Sequence, residues 1–132
     1  MGNLPKAEEF YLKSLKIYEN LFGENHSDVA MSYNNLGSLY KNMGNLPKAE
    51  EFYLKSLKIR QNLFGENYSD VATSYYNLSV FYSQSIKKPN ASINYAKKSY
   101  EIILRLFGKS HPKTVQYFNN YINILVSLNQ QE

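Results

Sequence analysis

The first 17 residues of the chain, MGNLPKAEEFYLKSLKI, return unchanged at residues 43–59. The two copies are offset by 42 residues, and shorter matches continue beyond them, with NLFGEN at Asn20 and Asn62 and SDVA at Ser27 and Ser69. Self-similarity at a fixed period of a few tens of residues is typical of architectures in which repeated units stack on one another. The sequence therefore predicts a stacked-repeat fold.

Each period contains the pattern of two amphipathic helices. From Leu4 to Leu21, apolar residues recur at steps of three and four, and Lys and Glu side chains fall on the opposite side, as expected for a helix with one buried face. Asn3 is a suitable N-cap, and Gly23 suits the left-handed conformation that ends many helices. A second helix follows and ends at Gly44, where the first segment starts again.

Neighbouring helices joined by such short turns pack antiparallel. We therefore predict an all-α fold, a right-handed α-solenoid of antiparallel helix pairs with about six helices, that forms a single array over residues 1–132. It consists of the second helix of a repeat, two repeat pairs at 27–64 and 69–107, and the first helix of a further repeat. The six helices are predicted at residues 4–22, 27–42, 46–64, 69–84, 89–107 and 112–127.

Small and aromatic residues are predicted to shape the packing. A small residue at a helix crossing lets two backbones approach, and such a crossing is predicted where Gly37 faces Ala49. Several tyrosines at helical spacing are predicted to be packing residues whose hydroxyls reach the surface or a backbone carbonyl. These are Tyr33, Tyr40, Tyr53, Tyr75, Tyr82 and Tyr95.

Composition excludes several classes of protein. The sequence has neither a run of about 18 apolar residues, as a membrane span requires, nor a basic leader followed by an apolar stretch. It contains no cysteine, so no disulfide framework is possible. The net charge of +4 comes from Lys and Arg interleaved with Glu, which indicates solvated helix faces rather than a nucleic-acid footprint. These features favour a cytoplasmic protein.

The chain offers little for catalysis. His26 and His111 occupy equivalent turns near helix starts, and no second ligand follows either of them at metal-binding spacing. The glycines are isolated helix ends and do not form a phosphate-binding loop. The carboxylate pairs that begin at Glu8 and Glu50 lie on the solvated side of the helix that is repeated verbatim, which is a poor setting for general acid–base chemistry. We predict no enzymatic activity, no cofactor and no bound metal.

A resemblance to a known family emerges from the second predicted helix. Its motif runs from Tyr33 to Tyr40 as Y-x2-L-G-x2-Y, and A-x3-Y follows from Ala49 to Tyr53. This resembles the signature of the tetratricopeptide repeat, with Tyr in place of the usual Trp and Phe. The 42-residue period, the Asn-Asn-Leu-Gly and Asp-Val-Ala motifs and the Phe-Gly turn are similar to the arrays of kinesin light chains.

The third repeat departs from this pattern. Matching its Leu-Phe-Gly turn to the earlier one requires an offset of 43 residues, which places a one-residue insertion near Ser85 to Pro89. Ser92 then stands where Ala49 stood, and Tyr121-Ile122 replaces the Leu-Gly pair. The sequence leaves open whether this repeat keeps the closest packing and the same angle between its helices.

Differences between the two near-identical copies concentrate on one stripe of the first helix of each repeat. In the tetratricopeptide repeat family this stripe faces a concave groove, so the resemblance implies that the differing residues line a ligand surface. Two interpretations stay open: the lining was altered to suit a partner, or constraint on an exposed face was relaxed. The differing pairs are Met31/Thr73, Asn34/Tyr76, Ser38/Val80, Lys41/Ser83 and Asn42/Gln84.

Beside this stripe, Asn35, Asn77 and Asn120 occupy one equivalent position in three repeats. An Asn side chain both donates and accepts, so a column of them can hydrogen-bond the backbone of an extended peptide whatever its sequence. By resemblance to the kinesin light chain type, these three residues are predicted to hold a peptide. The other predicted partner-binding residues are Asn34, Ser38, Lys41, Thr73, Tyr76, Val80, Ser83, Gln116, Asn119 and Asn123.

The groove composition argues against one known mode of recognition. The carboxylate clamp of chaperone-binding tetratricopeptide domains needs Lys or Arg at several groove positions. Here Asn34, Gln116 and Asn120 stand at those places. Recognition of a free C-terminal carboxylate is therefore disfavoured.

The predicted function is that of a non-catalytic scaffold that binds an extended peptide segment of a partner protein in its concave groove. One alternative is a structural array that associates head to tail, because the helices at 4–22 and 112–127 each lack a neighbour; the chain would then be a piece of a longer array or one whose ends meet. A second alternative is RNA binding, favoured by the pI near 9.1 and the 13 tyrosines. Only Lys41 of the basic residues lies on the groove, so nucleic acid is not the expected partner.

Overall fold

The computed structural model describes residues 3–129, and within this range the chain forms six α-helices and no β-strand. The predicted helices are confirmed, and the last one continues to Asn129 instead of ending at residue 127. Residues 1, 2 and 130–132 of the predicted array lie outside the described range. The helices are α1 (Leu4–Phe22), α2 (Ser27–Asn42), α3 (Leu46–Phe64), α4 (Ser69–Gln84), α5 (Pro89–Phe107) and α6 (Pro112–Asn129).

The helix boundaries follow from local capping. The Asn3 side chain accepts a hydrogen bond from the backbone N–H of Lys6 at 3.3 Å, which satisfies one of the N–H groups that the first turn leaves unpaired. α1 ends at Gly23, whose φ of 80° is in the region that side chains with a Cβ rarely adopt. The sequence therefore determines both ends of this helix through residues within one turn of them.

Both histidines are helix caps. Nδ1 of His26 and of His111 accepts a hydrogen bond from the backbone N–H two residues later, at 3.1 and 3.0 Å. Each imidazole ring also stacks on the Phe side chain that ends the preceding helix, with centroid distances of 4.1 Å for Phe22 and 4.5 Å for Phe107. As predicted, these are turn residues at helix starts.

Chain contacts divide the protein into two compact units, of which unit 1 extends to Leu63 and contains α1, α2 and most of α3. Its core is built around Leu36, which has no exposed surface, and Phe52. The rings of Tyr33 and Tyr40 both stack on Phe52, each with its centroid 5.5 Å away. These tyrosines are packing residues, as their helical spacing predicted.

The residue of α3 that lies nearest to Gly37 differs from the prediction. A Cβ atom placed on Gly37 would lie 2.8 Å from Cδ1 of Tyr53, and the three nearest heavy atoms all belong to that ring. Ala49 is fully buried but is not the nearest neighbour. The Tyr53 hydroxyl is 2.9 Å from Oγ of Ser38, so the ring is fixed against the helix backbone at Gly37.

Unit 2 begins at Phe64 and contains α4, α5 and α6. Its aromatic core repeats that of unit 1, because Tyr95 takes the place of Phe52 and stacks on Tyr75 and Tyr82 at 5.5 and 5.8 Å. Phe81 is 1% exposed and is the largest fully buried side chain of the described residues. The two units thus use the same arrangement of stacked rings.

Three of the packing tyrosines donate their hydroxyls to glutamates, an acceptor that the prediction of the surface or a backbone carbonyl did not name. Carbonyls within a helix already accept a hydrogen bond from the helix itself, so a nearby carboxylate is the better acceptor and gives a stronger, charge-assisted bond. The pairs are Tyr40 with Glu8 at 2.7 Å, Tyr75 with Glu66 at 2.7 Å and Tyr33 with Glu19 at 3.4 Å.

Close packing is maintained where Ser92 replaces Ala49, which the sequence had left open. Ser92 is 1% exposed, and its Oγ donates to the backbone carbonyl of Ser79 at 2.9 Å. Ser79 itself stands where Gly37 stands in unit 1, and Ala96 stands where Tyr53 does. The larger residue on α4 therefore faces a smaller residue on α5, and the crossing is preserved.

The inserted residue is accommodated in the turn between α4 and α5. This turn has four residues, 85–88, whereas the turn between α2 and α3 has three, 43–45. Lys87 adopts φ 64°, the one positive φ of a non-glycine residue in the described part of the chain. The backbone N–H of Lys88 then returns to the carbonyl of Tyr82 at 2.8 Å, so both flanking helices keep their length.

Candidate functional site

The predicted site residues of unit 2 come from α4 and α6, and three of them meet at a pair of stacked tyrosines. The rings of Tyr76 and Tyr117 lie 4.5 Å apart and are inclined by 21°. Nε2 of Gln116 donates to the Tyr76 hydroxyl at 3.5 Å, and Oγ1 of Thr73 is 3.4 Å from the Tyr117 hydroxyl. The structure thus brings Thr73, Tyr76 and Gln116 together on one surface, which we call the α4–α6 face.

Tyr117 was not predicted as part of this surface. Tyr117 is 3% exposed, and its ring stacks on that of Tyr76. Its equivalents in the two preceding repeats are Ser32 and Ser74, both buried. Replacement of a small buried serine by a tyrosine was the sequence signal that could have identified it.

Asn120 is held by the fold on the same face. Its Nδ2 donates to Oγ of Ser79 at 3.0 Å, and that hydroxyl donates in turn to the Tyr76 carbonyl at 2.7 Å. One amide donor of Asn120 is therefore engaged inside the protein. The three amides of the predicted column are not equivalent, since Asn35 is exposed, whereas Asn77 and Asn120 are half-buried.

Amide side chains follow one another along α6. Gln116, Asn119, Asn120 and Asn123 are spaced at three, one and three residues, which places them on one side of a helix. Asn120 is half-buried and the other three are exposed. We call these four residues the α6 amide stripe.

A cleft of about 490 Å³ lies at one end of unit 2, between the C-terminal parts of α4 and α6 and the turn that leads into α5. Three predicted residues, Ser83, Asn120 and Asn123, line it. Ser83 is half-buried, and its Oγ donates to the Val80 carbonyl at 3.0 Å. The other lining residues are Tyr82, Gln84, Lys87, Pro89, Ser92, Ile124, Ser127 and Leu128.

The predicted residues of unit 1 lie along α2. Asn35 is exposed, whereas Asn34, Ser38 and Lys41 are half-buried. Because the Ser38 hydroxyl pairs with Tyr53, this side chain serves the fold. Burial raises the pKa of the Tyr53 hydroxyl, and the hydrogen bond with Ser38 partly opposes this rise.

Two of the differences between the copies therefore have a structural cause. Ser38 faces Tyr53, and in the next repeat Val80 stands in place of Ser38 where Ala96 stands in place of Tyr53. Gly37 and Ser79 differ for the same reason, because the Tyr53 ring leaves no space for a Cβ at Gly37 whereas the smaller Ala96 stands at the equivalent position in the next repeat. Val80 is half-buried in unit 2, and Asn119 is exposed on α6.

The charged groups of the described residues form surface ion pairs and no metal-binding cluster. Among residues 3–129, no cluster of three or more His, Cys, Asp or Glu side chains has a geometry that could hold a metal ion. Glu9 pairs with Lys13 at 3.0 Å and Glu51 with Lys55 at 3.3 Å, each along one exposed helix surface. In the same range, every helix is too short or too polar to cross a membrane.

Comparison with known proteins places these observations in a family. The sequence profile of the family described as Tetratricopeptide repeat matches residues 1–62 and 28–103. No curated protein matches the chain. Together the two profile matches cover most of the sequence.

A solved structure shows the same fold. The crystal structure of BtubC (BKLC) from P. vanneervenii is 30% identical in sequence and superposes with a TM-score of 0.86 over 97% of this chain and 51% of that chain. The present chain thus spans about half the length of that protein. This likeness confirms the predicted fold class, an all-α solenoid of antiparallel helix pairs, and the resemblance to arrays of the kinesin-light-chain-like type. The chain belongs to the tetratricopeptide repeat family.

Proposed function

We propose that the chain is a non-catalytic scaffold of the cytoplasm that binds an extended peptide segment of a partner protein along the predicted groove residues. Tetratricopeptide repeats generally mediate protein–protein interaction, and such arrays are typically not enzymes. The observation that carries the proposal is the α6 amide stripe, because four adjacent amides can pair with a peptide backbone of any sequence. The half-buried Tyr76 ring beside it offers an apolar contact.

The amides and the apolar contacts contribute differently to the free energy of peptide binding. Four hydrogen bonds at about 1 kcal/mol each contribute about 4 kcal/mol, which is no more than the loss of translational and rotational freedom on association costs. Burial of one large apolar side chain adds about 1.5–3 kcal/mol. The amides therefore orient the peptide, while Tyr76 and the unit 2 cleft supply most of its selectivity.

The test measures retention of displayed short random peptides by the purified chain and by a variant in which Gln116, Asn119 and Asn123 are all Ala. These three side chains are exposed, so the variant should fold normally. Asn120 is left unchanged because its bond to Ser79 serves the fold. We expect retention to fall by about tenfold or more, since each lost bond is worth about 0.5–1.5 kcal/mol.

A matched control replaces Asn90 and Asn94, exposed amides of α5, with Ala. This control should retain peptides as the unchanged chain does. Equal retention by the stripe variant and the control would show that the α6 amide stripe is not the binding surface. Failure of the unchanged chain to retain any peptide would remove the proposal altogether.

A second candidate function is head-to-tail self-association. It is favoured because equivalent side chains of two helices with the same sequence differ in how much of their surface is exposed. Residues 4–17 of α1 have the same sequence as residues 46–59 of α3. Phe10 is 67% exposed and Ile17 is 56% exposed, whereas their equivalents Phe52 and Ile59 are 9% and 8% exposed. In unit 1, Phe52 is covered by the tyrosines of α2.

The helix α6 is equivalent to α2, and it presents Phe118 and Leu125 where α2 has Tyr33 and Tyr40. Packing of α1 from one molecule on α6 of another would cover Phe10 in the same way, and this heterologous contact could continue without closing. Sedimentation over a range of concentrations should show association that Phe10→Glu abolishes and Lys97→Glu does not. A monomer at all concentrations from micromolar to millimolar would exclude it.

A further inference from the structure

The cleft of unit 2 lies where the sequence departs from its own repeat. Lys87, in the turn that carries the extra residue, lines this cleft. Its φ of 64° is unfavourable for a lysine, since residues other than Gly, Asn and Asp adopt this conformation only at a cost. The turn thus places a cationic side chain at the cleft despite local strain.

The side chains of the cleft combine hydrogen-bonding groups with an apolar wall. Asn123, Ser127 and Gln84 make no side-chain hydrogen bond within residues 3–129, so their polar groups are available to a ligand. Ile124 is buried and Leu128 is half-buried, and both line the cleft from α6 next to Asn123 and Ser127. A ligand that fits must therefore offer both backbone-like polar groups and an apolar side chain.

The charged side chains at the cleft are both cationic. Lys87 is the one charged residue among the described residues that line it. A second cation lies close by, since the Lys88 ammonium is 5.5 Å from the centroid of the Tyr82 ring, which also lines the cleft. No carboxylate of the lining opposes them, so the cleft favours an anionic group.

We infer that this cleft selects peptides with an acidic residue: an Asp or Glu side chain pairs with Lys87 while a neighbouring apolar side chain contacts Ile124 and the backbone bonds to Asn123. This inference rests on the proposed peptide-binding function and specifies its ligand. A peptide fits better than a small anion, because a single lysine with an amide and an apolar wall does not form a closed anion site. The expected contribution of the acidic residue is modest, about two- to fivefold in affinity, as for an exposed ion pair.

The test compares two substitutions at Lys87 in selection from a displayed library of short random peptides. Lys87→Asn removes the charge and suits a positive φ, so folding is not impaired. Lys87→Arg keeps the charge and is the matched control. Peptides selected by the unchanged chain and by Lys87→Arg should be enriched in Asp or Glu at one position, and Lys87→Asn should lose this enrichment.

A further variant, Asn123→Asp, is nearly isosteric and places a carboxylate in the cleft. It should remove the acidic preference, because the new carboxylate offsets the charge of Lys87 in the same cleft. Affinity for a selected acidic peptide should fall about two- to fivefold in Lys87→Asn, and this difference should vanish at about 1 M salt, where charges are screened. Lys97→Ala, an exposed lysine of α5 outside the cleft, should change nothing.

The outcomes separate this inference from the function on which it rests. Peptide selection without acidic enrichment, or enrichment that persists in Lys87→Asn, would overturn the acidic specificity and leave peptide binding intact. If no protein selects any peptide, both ideas are wrong. Acidic enrichment that is lost in Lys87→Asn and kept in Lys87→Arg supports the assignment.

Discussion

Substitution of Gly37 by Ser should destabilise the protein through a single clash. The added Cβ would lie 2.8 Å from Cδ1 of Tyr53, whereas carbon atoms in contact prefer at least about 3.5 Å, so the ring must shift by about 0.7 Å (3.5 − 2.8). That ring is 4% exposed and its hydroxyl is bonded to Ser38 at 2.9 Å. Overpacking of this kind costs about 1–3 kcal/mol, and the better helix propensity of Ser returns about 0.5 kcal/mol. We expect a net loss of about 1–2 kcal/mol in the free energy of unfolding.

The same chain supplies the compensating change. Ser79 and Ala96 occupy the positions of Gly37 and Tyr53 in the next repeat, and both are fully buried. Tyr53→Ala alone should cost about 3–5 kcal/mol, as other aromatic-to-alanine changes in cores do. In the double variant the serine no longer meets the ring, so the loss should be smaller than the sum of the single losses by about 1–2 kcal/mol.

Urea unfolding of the four proteins measures this coupling. A control cycle that combines Tyr53→Ala with Asn94→Ala, an exposed residue of α5, should be additive. Additivity in the Gly37 and Tyr53 cycle would refute the reasoning. So would a Gly37→Ser variant that is as stable as the unchanged chain.

Two further predictions concern buried polar groups. Thr114→Val should raise the free energy of unfolding by about 1 kcal/mol in urea titrations, because Oγ1 of Thr114 is buried without a hydrogen-bond partner in the described residues, and the equivalent Val29 and Val71 are fully buried. Burial, followed by its hydrogen bond to Glu8, raises the pKa of Tyr40 to about 12. Because this pKa exceeds the value of about 10 in the unfolded chain, the contribution of Tyr40 to stability should be complete below pH 10 and lost between about pH 10 and 12. Tyr40→Phe should make the unfolding free energy less dependent on pH in that window, and an unchanged pH profile would contradict this.

The helix boundaries could be predicted from the sequence because the interactions that set them are local. Asn3 and His26 cap helices through backbone groups two or three residues away, and Gly23 ends a helix by its own conformation. Such interactions lie within a single turn, so the residues that cause them are adjacent in the sequence. The 42-residue repeat then fixes which helices pair.

Contacts across helices were harder to predict, because they depend on the crossing geometry. Ala49 and Tyr53 lie one turn apart on the same side of α3, and sequence spacing alone does not say which of them meets Gly37. For the same reason, the sequence did not predict that glutamates accept from Tyr33, Tyr40 and Tyr75. The predicted site residues, in contrast, are all exposed or half-buried.

The structure shows which residues of the neighbouring helix contact the positions that differ between the two copies, and this separates differences that packing requires from those that it does not. The Gly37/Ser79 and Ser38/Val80 differences follow the exchange of Tyr53 for Ala96, so packing explains them without any ligand. Lys41/Ser83 and Asn42/Gln84 have no such explanation in the described contacts, and Ser83 and Gln84 line the unit 2 cleft. Changes that packing does not require are therefore found at the cleft, where the extra turn residue also lies, and this coincidence favours ligand selection there over relaxed constraint on an exposed face.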